Sequence, residues 1–338
     1  MYKNISLLPY NTFGIDVKAD WLAEIESTEQ LLTILDDNQS VKKLILGAGS
    51  NVLFLSDFKG IILLNQIKGK EVISETDEDI LLKINAGEDW HELVMWAVEN
   101  NYGGIENLAL IPGKVGTTPI QNIGAYGVEI KNVIEEVHTL ELTTGLPKIF
   151  HKNDCDFGYR YSIFKKPENK GRYFITAIHL KLSKKNHQLY THYGAIRQIL
   201  NNKNILKPQL KDIAQTIVQI RRSKLPDPKK IGNAGSFFKN PFVNSDKLEE
   251  LLNRYPNIPY YTTHKKNIYK IPAGWLIEQA GWKGKRFGQV GVHHKQALVL
   301  VNFGKAKGID IQNLANNIID DISQKFGITL HPEVNYIQ

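Results

Sequence analysis

Residues 107–127 read NLALIPGKVGTTPIQNIGAYG, and this stretch decides how the rest of the chain is interpreted. Glycine, proline and small polar residues are too frequent in it for a regular helix or strand. A long irregular stretch inside a compact domain is usually functional. We therefore predict a loop that binds a flat cofactor, with hydroxyl groups at Thr117 and Thr118, although a purely structural Ω-loop has the same composition.

Short strands and amphipathic helices flank this loop on both sides. Ser27 and Gln30 form a capping box that predicts a helix, and a second helix is predicted over residues 89–100. Apolar runs predict strands at 43–46, 61–64 and 80–86 before the loop, and at 133–142 and 174–182 after it. This mixture indicates an α+β fold.

The last third of the chain has a similar mixture. Helices are predicted over 212–222, from a capping pair at Asp246 and Glu249, and over 311–326, where Gly327 ends the apolar periodicity. A strand is predicted over 297–302. A length of 338 residues fits about two domains, and we predict them at 1–185 and 186–338.

A second glycine-rich segment, GAGSN at residues 47–51, follows the predicted strand at 43–46. Its backbone N–H groups are accessible because the side chains are small, so it can surround a pyrophosphate. It lacks the third glycine of the dinucleotide-binding GxGxxG pattern, and taken alone it is more often an ordinary turn. Two such loops together favour a nucleotide cofactor.

Composition limits the remaining possibilities. The formal net charge of +7 suits steering of small anions but also allows nucleic-acid binding. The single cysteine, Cys155, excludes an internal disulfide, favours a reducing cytoplasm and is expected to be an inert buried thiol. The histidines lack ligand spacing, so no metal site is predicted. No run is apolar enough to span a membrane.

Two further segments contain candidate reactive side chains. DFGYRYSIFK at 156–165 places Arg160 among aromatic residues, where it is either a stacked surface residue or a fixed cation for a carboxylate. KLPDPKKIGNAGSFFKNP at 224–241 contains Ser236 and is predicted to be a loop, with Lys224 in a cleft.

These motifs, in the order GAGSNVLF, IPGKVGTTPIQNIGAYG, FGYRYSIFK, KLPDP, NAGSFFKNP and HPEV, resemble the UDP-N-acetylenolpyruvoylglucosamine reductase family over nearly the whole chain. The longer linker around Tyr193 is similar to the type I branch. The resemblance implies an FAD-binding domain of the vanillyl-alcohol-oxidase (PCMH) type with two subdomains, followed by an α+β substrate-binding domain. The tail that contains Glu333 would return to the flavin site.

The resemblance also implies the residues of each site. Catalysis falls on Arg160, Ser236 and Glu333. Substrate binding falls on Tyr159, Tyr193, Lys224, Asn240 and Gln296. FAD binding falls on Gly47, Ala48, Gly49, Ser50, Asn51, Ile111, Pro112, Gly113, Thr117, Thr118, Gln121, Asn122, Gly124, Ala125 and Tyr126.

The implied reaction is the NADPH-dependent reduction of UDP-N-acetylglucosamine enolpyruvate to UDP-N-acetylmuramate through FAD, in peptidoglycan synthesis. Arg160 and Glu333 would stabilise charge on the substrate carboxylate, and Ser236 would protonate the neighbouring carbon. A cytoplasmic monomer with no nucleic-acid or membrane partner is expected. The alternatives are another FAD-dependent oxidase of the same fold and a non-catalytic basic nucleic-acid-binding protein.

Overall fold

A computed structural model describes residues 1–193 and 195–338, and the chain divides into two compact units. The first unit consists of Met1–Ile5, Ala19–Ala48 and Lys59–Ser223. The second consists of Ser6–Lys18, Gly49–Phe58 and Lys224–Gln338. Two short segments from the N-terminal part of the chain therefore fold with the C-terminal third.

The bounds of the regular elements are as follows. The α-helices in chain order are α1 (Thr28–Asp37), α2 (Trp90–Glu99), α3 (Gly194–Asn202), α4 (Leu210–Lys224), α5 (Ser245–Arg254), α6 (Ala273–Gln279) and α7 (Gly308–Phe326). The strands are β1 (Tyr2–Ser6), β2 (Lys18–Ile25), β3 (Lys43–Leu46), β4 (Val52–Phe54), β5 (Phe58–Asn65), β6 (Lys70–Glu75), β7 (Asp79–Asn85), β8 (Gly124–Ala125), β9 (Val128–Glu129), β10 (Ile134–Glu141), β11 (Pro147–His151), β12 (Tyr173–Ser183), β13 (Phe242–Asn244), β14 (Tyr261–Thr262), β15 (Ile268–Lys270), β16 (Arg286–Phe287), β17 (Val290–Val292), β18 (Leu300–Asn302) and β19 (Asn335–Ile337).

The first unit contains two sheets. A four-stranded sheet has the order β1-β2-β5-β3, in which β3 and β5 are parallel. Helix α1 buries Leu31 and Leu35 in the same apolar cluster as Ile61 and Leu63 of β5. The Ser27 side chain accepts a hydrogen bond from the backbone N–H of Gln30 at 3.1 Å, which confirms the predicted helix start.

A five-stranded antiparallel sheet, β11-β10-β12-β7-β6, forms the larger core of the first unit. Helix α2 packs the fully buried Trp90 against this core. Helices α3 and α4 contribute buried residues to the same cluster, among them Ile196 and Ile217. Residues 186–223 therefore fold with the first unit, so the compact units differ from the predicted division between residues 185 and 186.

The second unit has small sheets around α7. Its three-stranded sheets have the orders β13-β15-β14 and β16-β17-β18, and β19 pairs in parallel with β4. Helix α7 buries Ile311, Ile318 and Ile322, and it ends at Gly327 in the left-handed conformation, with φ of 63°. The sequence predicted both the buried face and this stop, because only glycine adopts that conformation without a steric penalty.

Several predicted elements differ from the structure in their ends, and three of these differences concern the second half of the chain. Helix α4 continues to Lys224, which the sequence placed in a loop. The N-cap of α5 is Asn244, whose side chain accepts from the backbone N–H of Lys247 at 2.9 Å, so the predicted cap at Asp246 is wrong. The strand predicted over 297–302 is β18, which begins only at Leu300. Among the described residues, no helix is both long and apolar enough to cross a membrane.

Candidate active site

The segment Gly47–Asn51 joins β3 to β4 and needs glycine at two positions. A Cβ atom on Gly47 would lie 2.7 Å from Cγ2 of Thr117. Gly49 has φ of 60°, and a Cβ atom there would collide with the carbonyl oxygen of Tyr10. The backbone N–H of Thr12 donates to the carbonyl oxygen of Gly49 at 3.1 Å. Close approach of the backbone, rather than flexibility alone, therefore selects these glycines.

The long glycine-rich loop, residues 107–127, is held by hydrogen bonds within the loop and to Ala86. The backbone N–H of Gly116 donates to the carbonyl oxygen of Ala86 at 2.9 Å, and a Cβ atom on Gly116 would lie only 2.5 Å from that of Ala86. The hydroxyl groups of Thr117 and Thr118 donate to backbone carbonyl oxygens three residues earlier, at 2.7 and 2.8 Å. A hydroxyl oxygen that donates can still accept, so the partly exposed Thr117 can stabilise the loop and also meet a ligand donor. Thr118 is only 2% exposed, so its hydroxyl stabilises the loop, and its predicted role at the cofactor stays a prediction.

Asn122 holds the end of this loop from inside. It is fully buried with φ of 45°. Its amide donates to Oε2 of Glu129 and to the carbonyl oxygen of Gly158, each at 3.0 Å, and its Oδ1 accepts from the backbone N–H of Lys131 at 3.2 Å. These contacts use both amide protons of Asn122, so its side chain positions the loop. The predicted role of Asn122 in binding the cofactor stays a prediction.

Arg160 is positioned by a tight turn. Gly158 and Tyr161 exchange two backbone hydrogen bonds, at 3.0 and 3.3 Å. Arg160 lies between them with φ of 52°, and its Nη2 donates to the carbonyl oxygen of Gly124 at 2.7 Å. The guanidinium also lies 5.5 Å from the ring centre of Tyr159. A bulky residue in this backbone conformation is uncommon and marks a position where tertiary contacts fix the side chain.

The sequence interpretation did not identify Arg221 as a site residue. Its Nε donates to the carbonyl oxygen of Leu110 at 3.2 Å. Burial lowers the pKa of Arg221, an effect that its contact with the Tyr126 hydroxyl opposes and the nearby positive charge of Arg160 reinforces. Tyr126 in turn packs edge-on against Tyr193, with ring centres 5.7 Å apart. Two guanidinium groups therefore lie near one aromatic pair, an arrangement that suits an anionic ligand.

A signal for Arg221 was present in the sequence. Helix α4 buries Ala214, Ile217 and Ile220, and Arg221 falls one turn after Ile217 on the same stripe. Its neighbour Arg222 is exposed. A charged side chain on the buried face of a helix is rare unless it is paired with a polar group, so this position indicated a specific contact.

Glu106 and Asn107, at the start of the glycine-rich loop, were not identified as site residues from the sequence either. Glu106 is only 1% exposed, and its Oε2 accepts from the backbone N–H of Gly104 at 2.7 Å. Burial raises the pKa of this carboxyl group, although the Gly104 hydrogen bond opposes the shift. Asn107 donates to the carbonyl oxygens of Tyr126 and Tyr190 at 3.0 and 2.9 Å. These buried polar groups connect the loop to the segment before α3.

In the second unit, Ser236 and Glu333 are brought together by backbone pairing. The N–H of Glu333 donates to the carbonyl oxygen of Phe237 at 2.7 Å, and the N–H of Lys239 donates to the carbonyl oxygen of His331 at 2.9 Å. Phe237 is fully buried, whereas Ser236, the residue before it, is exposed. Ser236 is therefore accessible to solvent, and it lies next to the segment that contains Glu333.

The same tail also contacts the GAGSN segment. The Asn51 side-chain amide donates to the carbonyl oxygen of Glu333 at 3.3 Å, and the backbone N–H of Asn335 donates to the carbonyl oxygen of Asn51 at 3.0 Å. Strand β19 then continues alongside β4. Phe237, Glu333 and Asn51 thus belong to one hydrogen-bonded group, and Ser236 is the residue before Phe237.

The predicted substrate-binding residues differ in their surroundings. Lys224 is the last residue of α4 and is exposed, so its predicted position within a loop is wrong. Oδ1 of Asn240 accepts from the backbone N–H of Ala273 at 2.9 Å, and Oε1 of Gln296 accepts from that of Leu298 at 3.3 Å. Tyr193 precedes the first residue of α3 and is 48% exposed. The side-chain oxygens of Asn240 and Gln296 are thus each held by a backbone donor.

Cys155 is excluded from the chemistry of the site. It is fully buried, and burial raises the pKa of its thiol to about 12. Because the thiolate is the reactive form, this thiol is inert at neutral pH. The expectation of an inert buried cysteine is confirmed.

Comparisons with known proteins agree with this arrangement. Residues 19–151 match a family described as an FAD binding domain, and residues 227–337 match the UDP-N-acetylenolpyruvoylglucosamine reductase C-terminal domain. The predicted α+β architecture of a flavin-binding domain followed by a C-terminal domain is thereby confirmed.

Full-length relatives carry the same name. The chain is 48% identical to the UDP-N-acetylenolpyruvoylglucosamine reductase of Flavobacterium johnsoniae, over 99% of this chain and 98% of the relative. It is 45% identical to that of Bacteroides fragilis, with both chains fully covered. The crystal structure of the reductase from Thermus caldophilus superposes with a TM-score of 0.67 at 22% identity, covering 99% of this chain and 98% of that one.

Proposed function

This chain belongs to the UDP-N-acetylenolpyruvoylglucosamine reductase family, and we propose that Arg160, Ser236 and Glu333 are its catalytic residues. The chain is an FAD-dependent oxidoreductase that uses NADPH to reduce the enolpyruvyl ether of its UDP-sugar substrate, a step of peptidoglycan precursor synthesis. The observation that carries the residue proposal is the hydrogen-bonded group that joins the Glu333 tail to Phe237 and Asn51.

The two glycine-rich segments fit a cofactor with a pyrophosphate. At Gly47 and Gly49 the backbone has no room for a Cβ atom, so small side chains keep its N–H groups accessible. We assign pyrophosphate binding to Gly47–Asn51 and contacts with the flavin to the segment from Ile111 to Tyr126. When bound, the flavin supplies the hydride that NADPH has delivered to it. The protein has to orient the substrate and stabilise charge.

Arg160 is proposed to bind the substrate carboxylate. A guanidinium has five N–H donors and stays charged at all working pH values, so it can hold Gly124 and still bind a carboxylate by two parallel hydrogen bonds. Negative charge develops on the carbon beside this carboxylate during reduction. A fixed cation whose position is already set stabilises that charge without further reorganisation.

Ser236 is proposed to donate the proton to the same carbon. A hydroxyl is a weak acid, but a carbanion is a strong base, so a positioned hydroxyl is a sufficient donor. Glu333 would hydrogen-bond the substrate carboxylate and help to orient it. The hydrogen bond from Glu333 to Phe237 supports these two roles, because it fixes the backbone of the segment that contains Glu333 against the segment that contains Ser236.

Binding of the substrate diphosphate is assigned to Tyr193, Lys224, Asn240 and Gln296, the four positions that match the family's motifs. Tyr159 and Arg221 are further candidates for substrate binding, since both lie close to Arg160.

Residues 1–185 and 186–338 remain our proposed division into cofactor-binding and substrate-binding parts. A substrate-binding part defined in this way begins inside the first compact unit.

We further propose that the enzyme acts in the cytoplasm as a monomer, without nucleic-acid or membrane partners. Its reductant and its nucleotide-sugar substrate are cytoplasmic metabolites, and a lone buried cysteine is suited to a reducing compartment. Its positive charge is spread along the chain, which suits anionic small molecules.

The experiment that tests the proposed function is anaerobic. Purified protein is expected to be yellow, and NADPH should bleach the flavin absorbance. Addition of UDP-N-acetylglucosamine enolpyruvate should then restore the absorbance without oxygen. Restoration by oxygen alone, with no response to the enolpyruvyl substrate, would instead identify an oxidase. A colourless protein that does not take up FAD would contradict the assignment as a flavoenzyme.

A further inference from the structure

One face of the five-stranded sheet contains a group of imidazole and carboxylate side chains. Glu136 on β10 lies directly opposite His151 on β11 and His179 on β12 in the strand registers. His138 is two residues further along β10, and alternate residues of a strand project to the same face. Three histidines therefore surround one glutamate, although they come from three different strands.

The ring nitrogens converge on the carboxylate. Nε2 of His138 lies 2.8 Å from Oε2 of Glu136, and Nδ1 of His179 lies 3.0 Å from the same oxygen. One potential ligand atom from each of these three side chains lies within 4.8 Å of the other two. The two imidazole rings are 4.2 Å apart between centres. Three donor atoms of metal-binding type thus meet at one point.

We propose that Glu136, His138 and His179 form a binding site for a divalent transition-metal ion such as Zn²⁺, with His151 as a fourth ligand. The side chains of Glu136, His138 and His179 are 28%, 25% and 11% exposed, so an ion could enter while most of its shell is protein. Nδ1 of His151 lies 3.4 Å from Oε1 of Glu136, and its side chain is 69% exposed, so it can rotate towards the ion.

The geometry and chemistry of the donors select the metal. Zn²⁺ binds imidazole nitrogen and carboxylate oxygen at about 2.0–2.2 Å in a tetrahedron, which separates ligand atoms by roughly 3.3 Å. The observed separations of 2.8 and 3.0 Å require the group to open by only a few tenths of an ångström. Mg²⁺ and Ca²⁺ prefer shells of oxygen alone, so two or three imidazoles favour the later transition metals.

A neighbouring cation does not prevent this binding. Lys83 on β7 is in register with His179, but its Nζ lies 3.6 Å from the Glu71 carboxylate of β6. Nε2 of His179 is buried without a hydrogen-bond partner among the described residues, so its polar contact is made through Nδ1. The alternative explanation of the same geometry is a cluster in which both imidazoles donate protons to Glu136. Such a cluster needs no ion.

Metal binding distinguishes the two explanations. The full-length holoenzyme, without a histidine tag, is treated with a chelator, dialysed and titrated with Zn²⁺ against a chromophoric chelator. We expect one Zn²⁺ per chain, and we expect His138→Gln and His179→Gln each to weaken it by about tenfold or more. The matched control is His264→Gln, because His264 is exposed and belongs to the second unit. It should bind Zn²⁺ as the unsubstituted protein does.

A second measurement follows stability. The proposed ligands come from three strands and meet only in the folded state, so Zn²⁺ should raise the Tm in a concentration-dependent way. This rise should be absent in His179→Gln, with flavin content reporting that the variant is folded. If His179→Gln does not fold, Glu136→Gln and His138→Gln serve the same purpose. Binding that is equal in the ligand variants and the protein itself, or no binding near one equivalent, would overturn the proposal in favour of the proton-linked cluster.

Discussion

The backbone N–H of Glu333 donates to the carbonyl oxygen of Phe237, with 2.7 Å between nitrogen and oxygen. This bond ties the last residues of the chain to the segment that begins with Ser236. The Asn51 amide holds the carbonyl oxygen of the same Glu333 from the other side, at 3.3 Å. We therefore expect substitutions of Ser236 and Glu333 to affect the reaction, and a substitution of Gly49 to affect FAD binding.

Ser236→Ala should slow only one of the two half-reactions. Reduction of the flavin by NADPH needs no proton on the substrate carbon, so it should proceed at a near-normal rate. Reoxidation by the enolpyruvyl substrate should slow by about 10²–10⁴-fold, because a positioned proton donor is missing. Stopped-flow absorbance under anaerobic conditions measures each half separately.

Related variants make this experiment specific. Ser236→Cys should recover part of the rate, while Arg160→Ala and Glu333→Gln should slow the same half-reaction through lost charge stabilisation. Ser74→Ala, on the exposed strand β6, is the control. Equal slowing of both halves in Ser236→Ala would indicate that the serine is structural.

Lys224→Ala should weaken substrate binding more than it changes the reaction itself. Lys224 is an exposed cation at the end of α4, where an ammonium group can meet a diphosphate. We expect a higher KM for the UDP-sugar with little change in kcat, and a smaller effect in the same direction for Tyr193→Phe. Lys229→Ala, another exposed lysine nearby in the sequence, should behave as the unsubstituted enzyme. Unchanged KM in both variants would disprove the diphosphate assignment.

Gly49→Ala and Gly288→Ala form a matched pair. Both glycines have φ of 60°, but a Cβ atom at position 49 would collide with Tyr10, whereas nothing lies within 4 Å of one at position 288. The left-handed backbone costs about 1–2 kcal/mol for alanine at either position. Gly49→Ala should cost clearly more and should also release FAD more readily. Denaturant unfolding and flavin release measure the two effects, and equal costs would rule out the close approach as the cause.

Glu106→Gln should change the pH dependence of stability. Burial raises the pKa of Glu106 in the folded state, so the folded protein binds more protons than the unfolded chain above the ordinary carboxyl pKa. Stability is therefore lost as the pH rises from the unfolded pKa through the raised folded pKa. Glutamine does not ionise, so the variant should lack this loss while keeping an oxygen for the Gly104 N–H.

The comparison is made by urea unfolding of the FAD-saturated proteins over this pH range. The difference in unfolding free energy between the two proteins should move in favour of Glu106→Gln as the pH rises and then become constant. Glu99→Gln, an exposed residue at the end of α2, should show no such trend. Parallel pH profiles for Glu106→Gln and the unsubstituted protein would show that folding does not raise the pKa of this carboxyl group.

The amino-acid sequence by itself determined the elements with strong local signals. The apolar stripe of α7 and the stop at Gly327 follow from helical periodicity and from the conformational freedom of glycine. The irregular character of residues 107–127 follows from composition, and the candidate residues followed from motif order. These properties depend on neighbours in the chain, so they can be read without coordinates.

Tertiary structure alone decided which distant residues meet. The pairing of β19 with β4 brings Glu333 beside Asn51, and the fold of α4 places Arg221 near Tyr126. The convergence of Glu136, His138 and His179 depends on the register between β10 and β12. Such contacts are fixed by packing and strand pairing between segments far apart in the sequence. The spacing of residues within one segment therefore does not predict them. The pKa of buried Glu106 has the same origin, because desolvation depends on everything packed around the group.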